Sequence, residues 1–396
     1  MKKIIILVLS IFSLLYLNTA LAGSLGVSPL KYEFTVNSGD SKSGLIKVSN
    51  NSDSPMTLYT SKEDFIAGDD TGTPKFVKPE DQTYPELSLA NWIKLEEENL
   101  TLAPRETREV KFKINVPKDG EPGGHYGAIF FSPGVGASSQ VSIVQRLGVL
   151  LLINVPGDVK ISGFVDKFSV GQNKSGKFEE KTNFANFPIN FDLLFKNDGN
   201  VHLKPVGKIE ILDENNIPLK NIGRATLTSP AGAYIGEKMV DFIPLNETLG
   251  NVLPKSERKF ESSWEGFGYT VLNTDGTKSV KFKNLSDYYA EVASEKQAYL
   301  NFWEQVHTRT VSKNMKVVMT LSYEGKDKEK KDFKEEKTIK IAYDEKYVGI
   351  NYYLIFILIL LIGALFYYFT QVAPKNQARK EEELKRKIME EMSKHK

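Results

Sequence analysis

Four histidines have the most scope for chemistry in this 396-residue chain, and their spacing gives them little. His125, His202, His307 and His395 are scattered, and none falls in an HxxxH or HExxH pattern or at a carboxylate spacing that would hold a metal. There is no GxSxG nucleophile turn and no Walker phosphate loop. With no cysteine anywhere, thiol chemistry and zinc-thiolate sites are excluded. The carboxylates Asp69–Asp70 and Glu96–Glu98 lie in polar stretches without calcium-loop spacing, which reads as solvated surface. The chain is expected to be a non-enzyme, with no cofactor and no metal.

One cluster stands apart, Gly-Gly-His-Tyr-Gly at residues 123–127. Two readings are open. Between their glycines, His125 and Tyr126 can present an aromatic and a hydrogen-bonding ring at a surface, as carbohydrate and peptide sites do, and they are the candidate binding residues. Alternatively Tyr126 packs inward and the glycines fit a bulge.

The ends of the chain say where such a site would be displayed. Two lysines, an apolar run and Ala20-Leu21-Ala22 form a signal-peptide pattern, so the mature chain is expected to begin near Gly23; an uncut anchor is the alternative. A second apolar run, residues 352–369, carries no charge and has tyrosine pairs at both ends. At about 1.5 Å per residue it covers roughly 27 Å, close to the hydrocarbon thickness of a bilayer, with rings placed for both headgroup layers. The Lys- and Arg-rich segment beyond it is expected to be cytoplasmic by the positive-inside rule, and its Glu381/Lys385 and Glu383/Lys387 spacing predicts a charged helix. Net charge is only +2, so composition makes no case for nucleic acid.

Between the ends, the apolar residues alternate. Leu30, Tyr32, Phe34 and Val36 form one such set, and Val110, Phe112, Ile114 and Val116 another, each predicting a strand with one buried face. Continuous apolar runs at Ile129–Phe131 and Val149–Ile153 predict central strands. The second half repeats the plan: Leu102, Pro104, Arg108 and Val110 match Val252, Pro254, Arg258 and Phe260. The turns beginning at Asn50 and Asn197 precede those prolines by 54 and 57 positions. One sandwich module used twice explains both anchors.

In 285–308, the apolar residues Leu285, Tyr289, Val292, Tyr299, Phe302 and Val306 fall at helical spacings, with Trp303 beside them, which predicts an inserted helix. A strand near 316–323 is expected to pair with 337–343 across a charged loop. The predicted fold is all-β: two tandem immunoglobulin-like β-sandwich domains, an inserted helix in the second, and one C-terminal transmembrane helix. The expected boundaries are 1–22 signal peptide, 23–156 first sandwich, 157–346 second sandwich with its insert near 285–308, 350–369 span and 370–396 cytoplasmic tail.

Residues 100–131, LTLAPRETREVKFKINVPKDGEPGGHYGAIFF, preceded by GVSPLKYEFTVNSGDSKSGLIKVSNNSDSPMTLY, resemble the N-terminal module of the WxL-interacting proteins of Gram-positive cell surfaces. The resemblance covers roughly residues 25–156, and the second domain only in architecture. In that family the first immunoglobulin-like domain is linked to peptidoglycan and the second to host or surface partners. It therefore implies a membrane-anchored, extracytoplasmic binding protein whose partner is cell-wall glycan or a surface or secreted protein. The inserted helix departs from the family's pattern. The opening strand and turn also resemble the first domain of periplasmic pilus chaperones, which gives the alternative of an assembly chaperone acting by strand complementation.

Overall fold

The computed structural model describes residues 25–134, 146–230, 232–284, 286–287, 302–325 and 328–394. The expected signal peptide lies outside them. Two large cores organise the described β structure, with a smaller cluster of Phe65, Leu87, Tyr126 and Leu152 beside them. One is built from residues between Val36 and Val155 and the other from residues between Phe168 and Tyr343.

In the first core, Val110, Phe112 and Ile114 point inward from the strand Thr107–Asn115 and are at most 1% exposed, while the lysines between them face water. Burial of each such side chain is worth about 2 kcal/mol. This strand lies between Ser41–Asn50 and Ile93–Leu95 in a four-stranded sheet whose other edge is Leu25–Ser28. The chain then changes sheets, so Leu30 is exposed, and Lys31–Thr35 pairs in parallel with Leu147–Val155 in the opposing sheet. Next to it run Gly123–Pro133, Met56–Ala67 and Pro74–Val77. The two continuous apolar runs are central, as predicted. Gly123–Pro133 is buried on both faces because the helical turns between Pro79 and Trp92 cover the side away from the core.

The second core lies between the sheet Lys177–Glu180, Gly163–Lys174, Ile189–Asn197, Ser256–Trp264 and a sheet containing Val206–Leu212, Glu304–Glu324 and Lys330–Ile350. A further sheet formed by Gly223–Thr228, Tyr234–Val240, Lys278–Lys283 and Phe267–Leu272 was not anticipated. Its short strands have only one or two inward residues each, too few to fix a period.

The repeat holds at the level of single atoms. Asn50 donates from Nδ2 to Ser54 O (2.8 Å) and Ala103 O (3.0 Å), and its Oδ1 accepts from Ser52 N (3.0 Å). Asn197 donates to Val201 O (2.8 Å) and Val252 O (2.9 Å), and accepts from Gly199 N (2.9 Å). After each proline, Arg105 and Lys255 take a left-handed backbone, with φ of 62° and 56°. Arg108 and Arg258 each donate back to a carbonyl seven residues earlier, Thr101 and Asn251.

Most of the expected helical insert lies outside the described residues. Its last part is corrected: residues 304–308 open the strand Glu304–Glu324, with Val306 opposite Val348. A full ladder to the partner strand satisfies that backbone, overriding a helical spacing that continues only by coincidence. The charged loop is also shorter than expected. Lys330 already begins the returning strand, because the exposed end of a hairpin accepts charged side chains on both strands. Beyond Ile350 the chain enters the helix Tyr352–Tyr367, passes through a π turn at Tyr368–Val372 and continues as Ala373–Lys394. The π turn directly precedes Pro374, which has no N–H to continue the ladder. The tail is helical, as its charge spacing predicts.

Asn197 is fully buried. Replacing it with Ala leaves two buried carbonyls and one N–H without their partner, so we expect a loss of about 2–4 kcal/mol in urea unfolding followed by Trp264 fluorescence. An unchanged midpoint would contradict the role of this side chain.

Candidate functional site

The Gly-Gly-His-Tyr-Gly cluster does not reach the surface. His125 is 2% and Tyr126 1% exposed, so neither ring is presented to a ligand. Of the second reading, Tyr126 does pack inward, but the glycines fit no bulge, since the strand pairs in unbroken register from Gly123↔Val155 to Phe131↔Leu147. Close approach is what the glycines provide. A Cβ on Gly124 would lie 1.9 Å from the Tyr126 hydroxyl, and Gly123, at φ +144°, lies against Asn200.

His125 is held from three sides. Its Nδ1 lies 3.2 Å from Ser88 O, its Nε2 2.9 Å from Glu121 O, and Trp92 stacks on the ring at 4.2 Å. Asp64 positions that tryptophan. Its Oδ1 accepts from Leu89 N (2.8 Å) and Ala90 N (2.7 Å), which fixes the turn Ala90–Trp92. Burial pushes the His125 pKa down, against the pull of the two carbonyls.

Tyr126 points the other way, into a seam between the two sandwiches. Its hydroxyl lies 3.2 Å from His202 Nδ1, and burial pushes its pKa up. Around this contact Gly124 N donates to Asn200 O (2.7 Å) and Asn200 Nδ2 to Pro122 O (3.0 Å). Glu33, on the strand Lys31–Thr35, pairs with Lys204 and Lys31 and accepts from Asn251 Nδ2 at 3.0 Å. Burial opposes its ionisation, but the hydrogen bonds from Lys204, Asn251 and Lys31 together prevail and hold its pKa at about 2. His202 is pushed down to about 4 by burial, which outweighs the attraction of Glu33 and is reinforced by Lys204 and Lys31. Neutral at physiological pH, His202 has an unprotonated ring nitrogen free to accept a hydrogen bond, and its Nδ1 faces the Tyr126 hydroxyl.

Beside the seam is a groove of about 730 Å³, lined among others by Glu33, Thr35, His202, Lys204, Tyr323 and Lys330. Its charges are mostly compensated within the protein, and no nucleophile stands next to a general base. No group of three or more His, Asp and Glu side chains is placed to hold a metal among the described residues. The arrangement can hold a polar partner non-covalently. Sequence reasoning missed His202, Glu33, Lys204 and Asn251, which come together only when the two halves meet; Gly-Gly beside an aromatic residue was the one visible sign of close packing.

A double sandwich of this kind has an immunoglobulin-like architecture. Residues 31–133 match the family described as WxL Interacting Protein, peptidoglycan binding domain, so the first sandwich carries a domain of that family. No curated protein matches the chain. Similar solved structures include the class 5 fimbriae chaperone CfaA, 13% identical over 79% of this chain and 98% of that one, TM-score 0.32. The YadV chaperone is 8% identical over 80% and 100%, TM-score 0.31. The E. coli chaperone DraB is 14% identical over 65% and 94%, TM-score 0.28. At these values none of them carries a function to this chain.

The seam makes stability pH-dependent. An unfolded histidine takes up a proton near its ordinary 6.5, whereas folded His202 resists to about 4, so stability is lost as pH falls across that interval. Glu33 adds a further loss as pH falls from 4.5 toward 2. We expect the urea midpoint of the full chain to fall steadily from pH 6.5 to 4, and less steeply in His202→Gln, with His125 leaving a residual slope. A flat wild-type profile would refute the assignment.

Proposed function

We propose that this chain is a single-pass, membrane-anchored extracytoplasmic protein that binds cell-wall peptidoglycan through its first sandwich and catalyses nothing. The match of residues 31–133 to a peptidoglycan-binding domain carries this reading. The described helix Tyr352–Met392 is long and apolar enough to cross a membrane, which supports anchorage at the C-terminal side. In this reading residues 370–396 are cytoplasmic, and the second sandwich, joined to the first by the seam, engages a surface or secreted protein. Tyr126 serves binding indirectly, by fixing the first sandwich against the second, and His125 by holding together the turns of the first sandwich.

Strand lending to a client subunit is less well supported. It rests on a likeness of the opening strand and turn alone, and the edge beside Leu147–Val155 is already paired with Lys31–Thr35 from Leu150 to Asn154. The full chain in detergent should sediment with purified sacculi, and soluble muropeptide fragments should compete it off. Retention no greater than that of heat-denatured protein would defeat the peptidoglycan reading.

A further inference from the structure

The long hairpin Glu304–Glu324 and Lys330–Ile350 projects past its sheet. Val206–Leu212 pairs only with 316–322, and Asn183–Phe184 only with 340–341, so 304–310 and 344–350 form a two-stranded ribbon. The ribbon's far end carries a cluster of exposed rings. Phe302 is 70% and Trp303 51% exposed, and the helix beside them opens with Tyr352 at 64% and Tyr353 at 77%. Trp303 O accepts from Asn351 N at 2.7 Å, which sets the 302–303 turn level with the first turn of the helix.

The connection has no slack. Asn351 alone separates the last strand residue from the first helical residue, and its side chain caps the helix by accepting from Leu354 N. An uncharged run of about 27 Å has to cover a hydrocarbon layer of about 30 Å, so Tyr352 and Tyr353 are drawn down to its edge. The headgroup layer above is about 5–8 Å thick, and a residue hydrogen-bonded to Asn351 lies inside it. Tryptophan favours that layer, where its ring is apolar and its N–H stays wet. The nearest ribbon ion pair, Arg309 with Glu345 at 2.9 Å, sits six residues further along, about 20 Å away and clear of the lipid.

We infer that Phe302 and Trp303 form a second membrane contact, inserting into the headgroup region beside the span and fixing the ribbon against the bilayer. This rests on the single-pass reading. The partner is lipid.

The full chain, reconstituted into phosphatidylcholine vesicles containing phosphatidylglycerol, tests it with brominated lipids as quenchers. Trp264 is fully buried and Trp92 is stacked on His125, so neither competes for quenching. We expect lipids brominated near the headgroup to quench emission at least twofold more than lipids brominated at mid-chain, and Trp303→Phe to abolish the difference. Near-ultraviolet circular dichroism of that variant should match wild type. If the protein floats with the vesicles and resists carbonate extraction but shows no lipid quenching, the inference is overturned while the span stands. If it does not float, the span reading fails and takes the inference with it.

Discussion

The amide of Asn197 is the constraint on which the joining of the two sandwiches depends. It ties the turn after the strand Ile189–Asn197 to Val252, in the proline loop that starts the strand Ser256–Trp264. That turn then supplies Asn200, His202 and Lys204 to the seam, and the loop supplies Asn251. A single buried side chain thus sets two of the segments with which the second sandwich holds the first, the strand Ser256–Trp264 adding a bond from Lys259 N to Asp70 O. Asn50 makes the equivalent tie in the first sandwich, where its turn leads into the strand Met56–Ala67, paired on both sides within its own sheet. The same local device is used once to build a domain and once to build a domain and its partner contact.

The electrostatics of the seam follow from where it lies. Glu33 is only half-buried, so it stays ionised by collecting donors, whereas His202 has an apolar neighbourhood and two lysines and stays neutral. A neutral imidazole and a protonated phenol make a hydrogen bond without importing charge, which is the cheaper way to fill a contact walled by aromatic rings. His125 follows the same logic on the other face of the strand. The two rings most suggestive of ligand binding in the sequence are therefore structural, because glycine neighbours admit neighbouring backbone and side chains as readily as they admit ligand.

The sequence carried what is periodic or repeated. Alternation located the strands of both cores, and the proline–arginine echo located the duplication because its left-handed residue and back-bonded arginine are fixed by local geometry. What failed to show was non-local. The stripe through Phe302 and Val306 has helical spacing, yet Val306 is held in a ladder by Val348, a residue 42 positions away in sequence. Glu33 and Lys204 are separated by 171 positions, and no pattern within either half marks them as a pair. Charged residues at 330–336 read as loop because the sequence does not reveal that the strand continues past its core.

That continuation gives the hairpin its mechanical meaning. Each strand is 21 residues long, about 65–70 Å, and one end lines the interdomain groove while the other meets the apolar helix Tyr352–Tyr367. A bare two-stranded ribbon is marginal in water, and this one is reinforced where it leaves the sheet: Arg309 pairs with Glu345 and lies over Tyr347, Thr310 bonds Asp344, and His307 donates to Ile350 O at 2.8 Å. Tyr323, near the opposite end, bonds both the N–H and the carbonyl of Gly163, where the second sandwich begins. The seam and the helix Tyr352–Tyr367 are thus connected by continuous backbone hydrogen bonding rather than by a flexible linker. Such a spine couples the position of the apolar helix to that of the sandwich at the other end of the hairpin, because a paired ladder bends less readily than an unpaired chain.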